Sequence, residues 1–165
     1  MKGKLSLTCL CLLFSAILVT SSQALTPTEE LGKAIFFDQN LSVNGMQSCA
    51  TFHAPETGFT GPDSDINSSQ AIYPGAILTR AGNRKPPSAA YGGDSPVLYF
   101  DEDEGLWIGG MFWDGRATGW TLGDPLAEQA QGPFLNPLEQ AVPTAQLICF
   151  KVQQSSYADL FIDIW

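Results

Sequence analysis

The chain has 165 residues, with 17 acidic against 8 basic side chains and a formal net charge of −9. That length suits about one domain with a modest core. The acidic balance excludes a surface made to grip nucleic acid phosphates and would steer basic partners toward the protein.

The N-terminus reads first. Met1-Lys2-Gly3-Lys4 is basic, Leu5 to Thr20 is apolar and uncharged, and Ser22-Gln23-Ala24 has small residues where a signal peptidase reads. This is the layout of a secretory signal, with cleavage expected after Ala24. The apolar run is short for a membrane span of roughly 20 residues. Residues 1–24 are therefore expected to be a signal peptide, and the protein is expected to be free of the membrane once it is removed. Cleavage takes Lys2 and Lys4 and leaves six basic against 17 acidic residues. Cys9 and Cys11 leave as well, so Cys49 and Cys149 persist. An exported chain can join these two in a disulfide. Alternatively Cys149, within Leu147-Ile148-Cys149-Phe150, is a buried small hydrophobe.

Thr26-Pro27-Thr28-Glu29 offers a helix cap, a first-turn proline and a capping box. Leu31, Ala34, Ile35 and Phe36 follow at helical spacing, which predicts a helix over about 27–37. Asn44-Gly45 marks a turn. From Ala54 to Tyr91 the chain is rich in Gly, Pro, Ser and Asn, and a long ordered loop is expected. Strand signals are weak throughout. A short helix is predicted near 124–130, another from a Thr144 cap to about 153, and a last one from Ser155 or Ser156 to Ile164. The expected class is mainly α with extensive irregular loops. Four Trp and ten Phe sit among 16 Gly and 11 Pro. Either a flat apolar ligand or a plain aromatic core explains them.

His53 is the sole histidine and follows Cys49 by four residues. In a c-type haem site, Cys-x-x-Cys-His, two thiols bond the haem vinyl groups and the imidazole takes the iron. Here Phe52 stands at the second cysteine position, so by spacing alone the pattern is weak.

The flanks add to it. Leu31-Gly32-Lys33-Ala34-Ile35-Phe36-Phe37-Asp38 leads through Leu41-Ser42 to Ser48-Cys49-Ala50, then His53, Pro55-Glu56 and Gly58-Phe59-Thr60. Pro87-Ser88-Ala89-Ala90-Tyr91 and Phe112-Trp113-Asp114-Gly115-Arg116-Ala117 follow, then Glu128-Gln129-Ala130 and Asn136-Pro137-Leu138-Glu139. The sequence resembles the N-terminal, peroxidatic-haem half of the bacterial di-haem cytochrome c peroxidases and their MauG-like relatives. The half with the second haem is expected to be absent from this chain.

The resemblance implies a class I cytochrome c-like haem domain over 25–165, in the periplasm. It implies one haem c, held by a single thioether at Cys49 with His53 as iron ligand. It matches Glu139 to a distal acid that moves a proton between peroxide oxygens, Gln129 to a distal glutamine that orients peroxide, and Trp113 to the tryptophan between the two haems. Taken alone, Glu139 would be a surface acid and Trp113 a core residue. The implied partners are hydrogen peroxide and either a small electron-donor protein or a chain supplying the C-terminal half. Three positions depart from the family pattern. Phe52 removes one thioether. Lys85 stands at an asparagine calcium ligand, and an ammonium cannot bind calcium, so no calcium is expected. Gln140 replaces a methionine. The expected function is haem-dependent peroxide reduction with electrons from a cytochrome c or similar donor. The alternative is a truncated or split haem-binding or electron-transfer module without turnover of its own.

Overall fold

A computed structural model describes residues 24–165. The predicted signal peptide lies outside the described residues, apart from Ala24. Helix α1 spans Pro27–Phe37. The Thr26 hydroxyl accepts from Glu29 N at 3.3 Å, and Glu29 Oε2 accepts from Thr26 N at 2.7 Å. This is the capping box that the sequence offers, and it satisfies two donors no helical carbonyl can reach. Leu31 is the buried residue of the helix.

A single turn of 3₁₀ helix at Gln39–Leu41 and a turn at Gly45, with φ of +71°, lead into the short helix α2, Cys49–Phe52. Ser42 organises this passage. It is fully buried, and its hydroxyl accepts from the amides of Met46 and Gln47 at 3.1 Å each. The predicted loop over 54–91 is interrupted by a 3₁₀ turn at Pro55–Thr57 and by helix α3, Ser64–Ser69. Asp63 caps α3 by accepting from Asp65 N and Ile66 N at 2.9 Å. So short a helix, with Ile66 its sole apolar residue, shows no apolar stripe to read.

Strands β1 (Tyr99–Asp101) and β2 (Leu106–Ile108) pair antiparallel, with Tyr99 opposite Ile108. Three residues each are too few to display alternation. Helix α4 covers Pro125–Leu135, capped by Asp124. It runs past the predicted end through Gly132 and Pro133, because packing overrides the weak helix propensity of both residues. Helices α5 (Ala145–Gln153, capped by Thr144) and α6 (Ala158–Ile164) close the chain near the predicted bounds. They tie back to its beginning. Lys151 Nζ donates to the carbonyls of Asn40 and Ser42 at 2.7 and 3.0 Å, and the Tyr157 hydroxyl donates to Asp38 at 2.6 Å. Burial, reinforced by Asp38, pushes the Tyr157 phenol above its ordinary value.

The described residues are helix-rich with one small sheet. Its core is small: Leu31, Leu41, Ala54, Tyr73, Ala76, Ala117, Val142 and Val152. The aromatic-core explanation fails here, because Trp107, Trp113, Trp120 and Trp165 are 58, 66, 64 and 86% exposed. Cys149 is also exposed and not a buried hydrophobe; on α5 it is Val152 that turns inward. Among the described residues neither Cys49 nor Cys149 is in a disulfide. Among the described residues no helix is long and apolar enough to cross a membrane.

Candidate functional site

The Ser48 amide donates to Thr51 Oγ1 at 3.0 Å at the start of α2. The helix ends after one turn, where His53 N donates to Cys49 O at 2.9 Å. That bond sets Cys49 and His53 one turn apart on the same face. His53 Nδ1 lies 2.9 Å from Pro87 O and 3.1 Å from Phe59 O. A carbonyl only accepts, so the ring carries its proton on Nδ1. The lone pair is then on Nε2. Orienting a metal-binding imidazole through its other nitrogen is the usual outer support of such a ligand.

A second stretch of the wall comes from α4 and the segment after it. Asn136 Nδ2 donates to Glu139 Oε1 at 2.8 Å. The Glu139 backbone is fixed too, since its carbonyl accepts from Ala76 N at 2.7 Å and its amide donates to Asn136 O at 3.0 Å. Gly75 makes that approach possible. A Cβ there would collide with the carbonyl oxygen of Leu138 and lie 2.9 Å from that of Glu139. Burial raises the Glu139 carboxyl above its ordinary value, against Asn136 and the Arg116 charge, which lower it. Burial also raises the Cys49 thiol, and the Glu139 charge adds in the same direction.

Together they border a cavity of about 400 Å³. Cys49, His53, Trp113, Gln129 and Glu139, the five side chains singled out in the sequence, all line it. Much of the remaining wall is apolar, including Phe36, Met111, Phe112, Leu126 and Leu138. Phe52 is in the wall as well, edge-on to Tyr73 at 5.7 Å between ring centroids. Trp113 stands at the edge, two-thirds exposed and therefore not core, with Nε1 donating to Lys85 O at 3.1 Å. Arg116 lies over the Phe112 ring at 3.6 Å and pairs with Asp114 at 2.8 Å.

Gln47 and Gln140 belong to the site but were not read as binding residues. Both are at least nine-tenths buried, line the cavity, and have an Oε1 with no partner among the described residues. Gln140 Nε2 lies 4.0 Å from Cys49 Sγ. Its place directly after Glu139 was the one available signal. Among the described residues no three His, Cys, Asp or Glu side chains gather as a metal site. The donor set suits a cofactor that brings most of its own ligands: one imidazole, one thiol a turn away, and apolar walls. The volume lies within the roughly 300–1,000 Å³ of such sites.

The fold and this cavity define a domain of a known class. The chain belongs to the di-haem cytochrome c peroxidase family, whose family model matches residues 26–165. Among named proteins it is similar to the methylamine utilization protein MauG of Paracoccus denitrificans, at 37% identity over 123 residues, covering 74% of this chain and 30% of that protein. It is also similar to the cytochrome c551 peroxidase of Pseudomonas aeruginosa, at 33% identity over 121 residues, covering 72% of this chain and 26% of that one. The crystal structure of the diheme peroxidase BthA from Burkholderia thailandensis superimposes with a TM-score of 0.71 at 26% identity, covering 87% of this chain and 36% of that one. The chain thus spans about a third or less of the length of these relatives.

Proposed function

We propose that this chain is the haem-binding part of a periplasmic, peroxidase-type oxidoreductase with a class I cytochrome c-like domain over 25–165. Hydrogen peroxide takes two electrons and two protons and becomes two waters. The electrons come from a small donor protein such as a cytochrome c, or from a partner chain. The observation that carries this reading is the convergence of Cys49, His53, Gln129 and Glu139 on one cavity.

Cys49 would hold one haem c by a single thioether, and His53 would give its Nε2 lone pair to the iron. The haem, when bound, supplies the redox centre at which the O–O bond is reduced. The protein's own residues do the rest. Pro87 and Phe59 carbonyls keep the imidazole proton on Nδ1. The apolar walls limit water. Gln129 orients peroxide by hydrogen bonding. Glu139, raised by burial, holds its proton to higher pH than an exposed carboxyl and moves a proton from one peroxide oxygen to the other. Export by a cleaved signal ending at Ala24 brings the chain to the compartment where haem is attached.

The test is expression with a haem-attachment system, followed by an absorption spectrum of the purified periplasmic protein. One covalently held haem with one free vinyl group is expected, read from the pyridine haemochrome band. Absence of haem sinks the proposal. With haem bound, Glu139→Gln should slow peroxide consumption by roughly 10²–10⁴-fold. Haem binding without any peroxide turnover in the parent chain would favour the electron-transfer module.

A further inference from the structure

Three successive carbonyls, those of Lys85, Pro86 and Pro87, are each taken by a different side chain, two of which, Trp113 and His53, line the cavity. Trp113 Nε1 donates to Lys85 O at 3.1 Å, Thr60 Oγ1 to Pro86 O at 2.8 Å, and His53 Nδ1 to Pro87 O at 2.9 Å. Two adjacent prolines have fixed φ, so the segment behaves as a short stiff strap. Its far end is anchored, since Ser88 Oγ donates to Gly58 O at 2.6 Å and Ala89 N to Phe59 O at 3.0 Å. Its near end is exposed at Lys85. There the indole N–H of Trp113 is the tie. The Trp113 ring is 66% exposed, so burial does little to fix it.

We infer that Trp113 is a positioning residue for His53, acting through the Lys85–Pro87 strap. The indole N–H fixes the strap, and the last carbonyl of the strap fixes the tautomer and plane of the imidazole. Phe59 O still holds the ring from the other side at 3.1 Å, so losing the indole tie loosens the imidazole without unfolding its loop. The inference rests on the reading of His53 as iron ligand only for its consequence in a haem-loaded protein. It is therefore testable without haem.

His53 is the sole histidine, so ¹⁵N-histidine labelling of the full chain prepared without haem gives one set of ring signals. The parent chain should show the Nδ1–H tautomer with a slowly exchanging proton. Trp113→Phe keeps a ring but has no N–H. It should speed exchange of that proton on the order of tenfold and populate the Nε2–H form. Thr60→Val cuts the middle tie with Trp113 intact and should act in the same direction. Circular dichroism checks that each variant is folded. Unchanged tautomer and exchange in folded Trp113→Phe would overturn the inference. A change there without one in Thr60→Val would overturn the strap as the connection. Failure to bind haem alters none of these signals, so the two readings fail separately.

Discussion

Glu139 acts on Cys49 within one cavity: its charge adds to burial in raising the Cys49 thiol. The two residues are 90 positions apart in sequence and come from different segments of its wall. Replacing Glu139 with Gln removes the charge and keeps the shape, so the thiol should ionise more readily. Iodoacetamide alkylation of haem-free protein at about pH 8 should then speed by roughly twofold to tenfold, followed by mass spectrometry in a Cys149→Ser background. An unchanged or slower rate would place Glu139 too far from the sulfur to matter.

The same substitution tests the carboxyl itself. Burial holds the Glu139 pKa above its ordinary 4.5. A carboxyl raised in the folded state stabilises the fold fully below its unfolded pKa, and that contribution is lost as pH rises through the folded value. Glu139→Gln abolishes this dependence. The stability of the variant relative to the parent should therefore grow between about pH 4 and about pH 7. Asp114 and Glu128 are held low by hydrogen bonds and have the opposite pH dependence, but they are common to both proteins, so they cancel. Urea denaturation at the two pH values gives the answer. A difference that does not change with pH would mean that Glu139 titrates as a surface acid.

Under the proposed function Phe52 takes the place of a second thioether cysteine, and it packs edge-on to Tyr73. Phe52→Cys should raise the covalent haem yield, scored by haem stain on a denaturing gel. It should also lower stability by about 1–2 kcal/mol, because Phe52 is half-buried and leaves a gap beside Tyr73. An unaltered yield would show that the first cysteine already limits attachment.

Gln140 gives a test of sign. Its buried Oε1 has no hydrogen-bond partner among the described residues. Gln140→Met keeps the length and removes the orphaned oxygen, so stability should rise by about 1 kcal/mol. Chemical denaturation measures it. A loss of similar size would mean that Oε1 is satisfied in solution by an ordered water or another donor.

Much of the helical frame was legible in the sequence. Thr26 and Thr144 cap helices where local chemistry says they should, since a cap needs only its own next three residues. The Cys49 to His53 spacing was equally local, because one helical turn fixes it. The β-hairpin and α3 escaped reading because they are too short to carry a period. The exposure of Cys149 and of the tryptophans was also hidden, because composition does not say which face an aromatic residue takes.

By itself, then, the sequence determined which residue types are present, where several helices begin, and that an imidazole follows a thiol by four residues; that the two lie one helical turn apart came from the structure. Only the tertiary structure decided what faces them. Cys49 and His53 meet Glu139 and Gln129 because Gly75 lets the chain at Leu138 and Glu139 approach, and because Ala76 N holds the Glu139 carbonyl. The Lys85–Pro87 carbonyls reach Trp113 and His53 only through folding. Side-chain ionisation followed from the same cause. Burial raises Glu139 and Cys49, and burial is a property of packed neighbours distant in sequence, which no local pattern encodes.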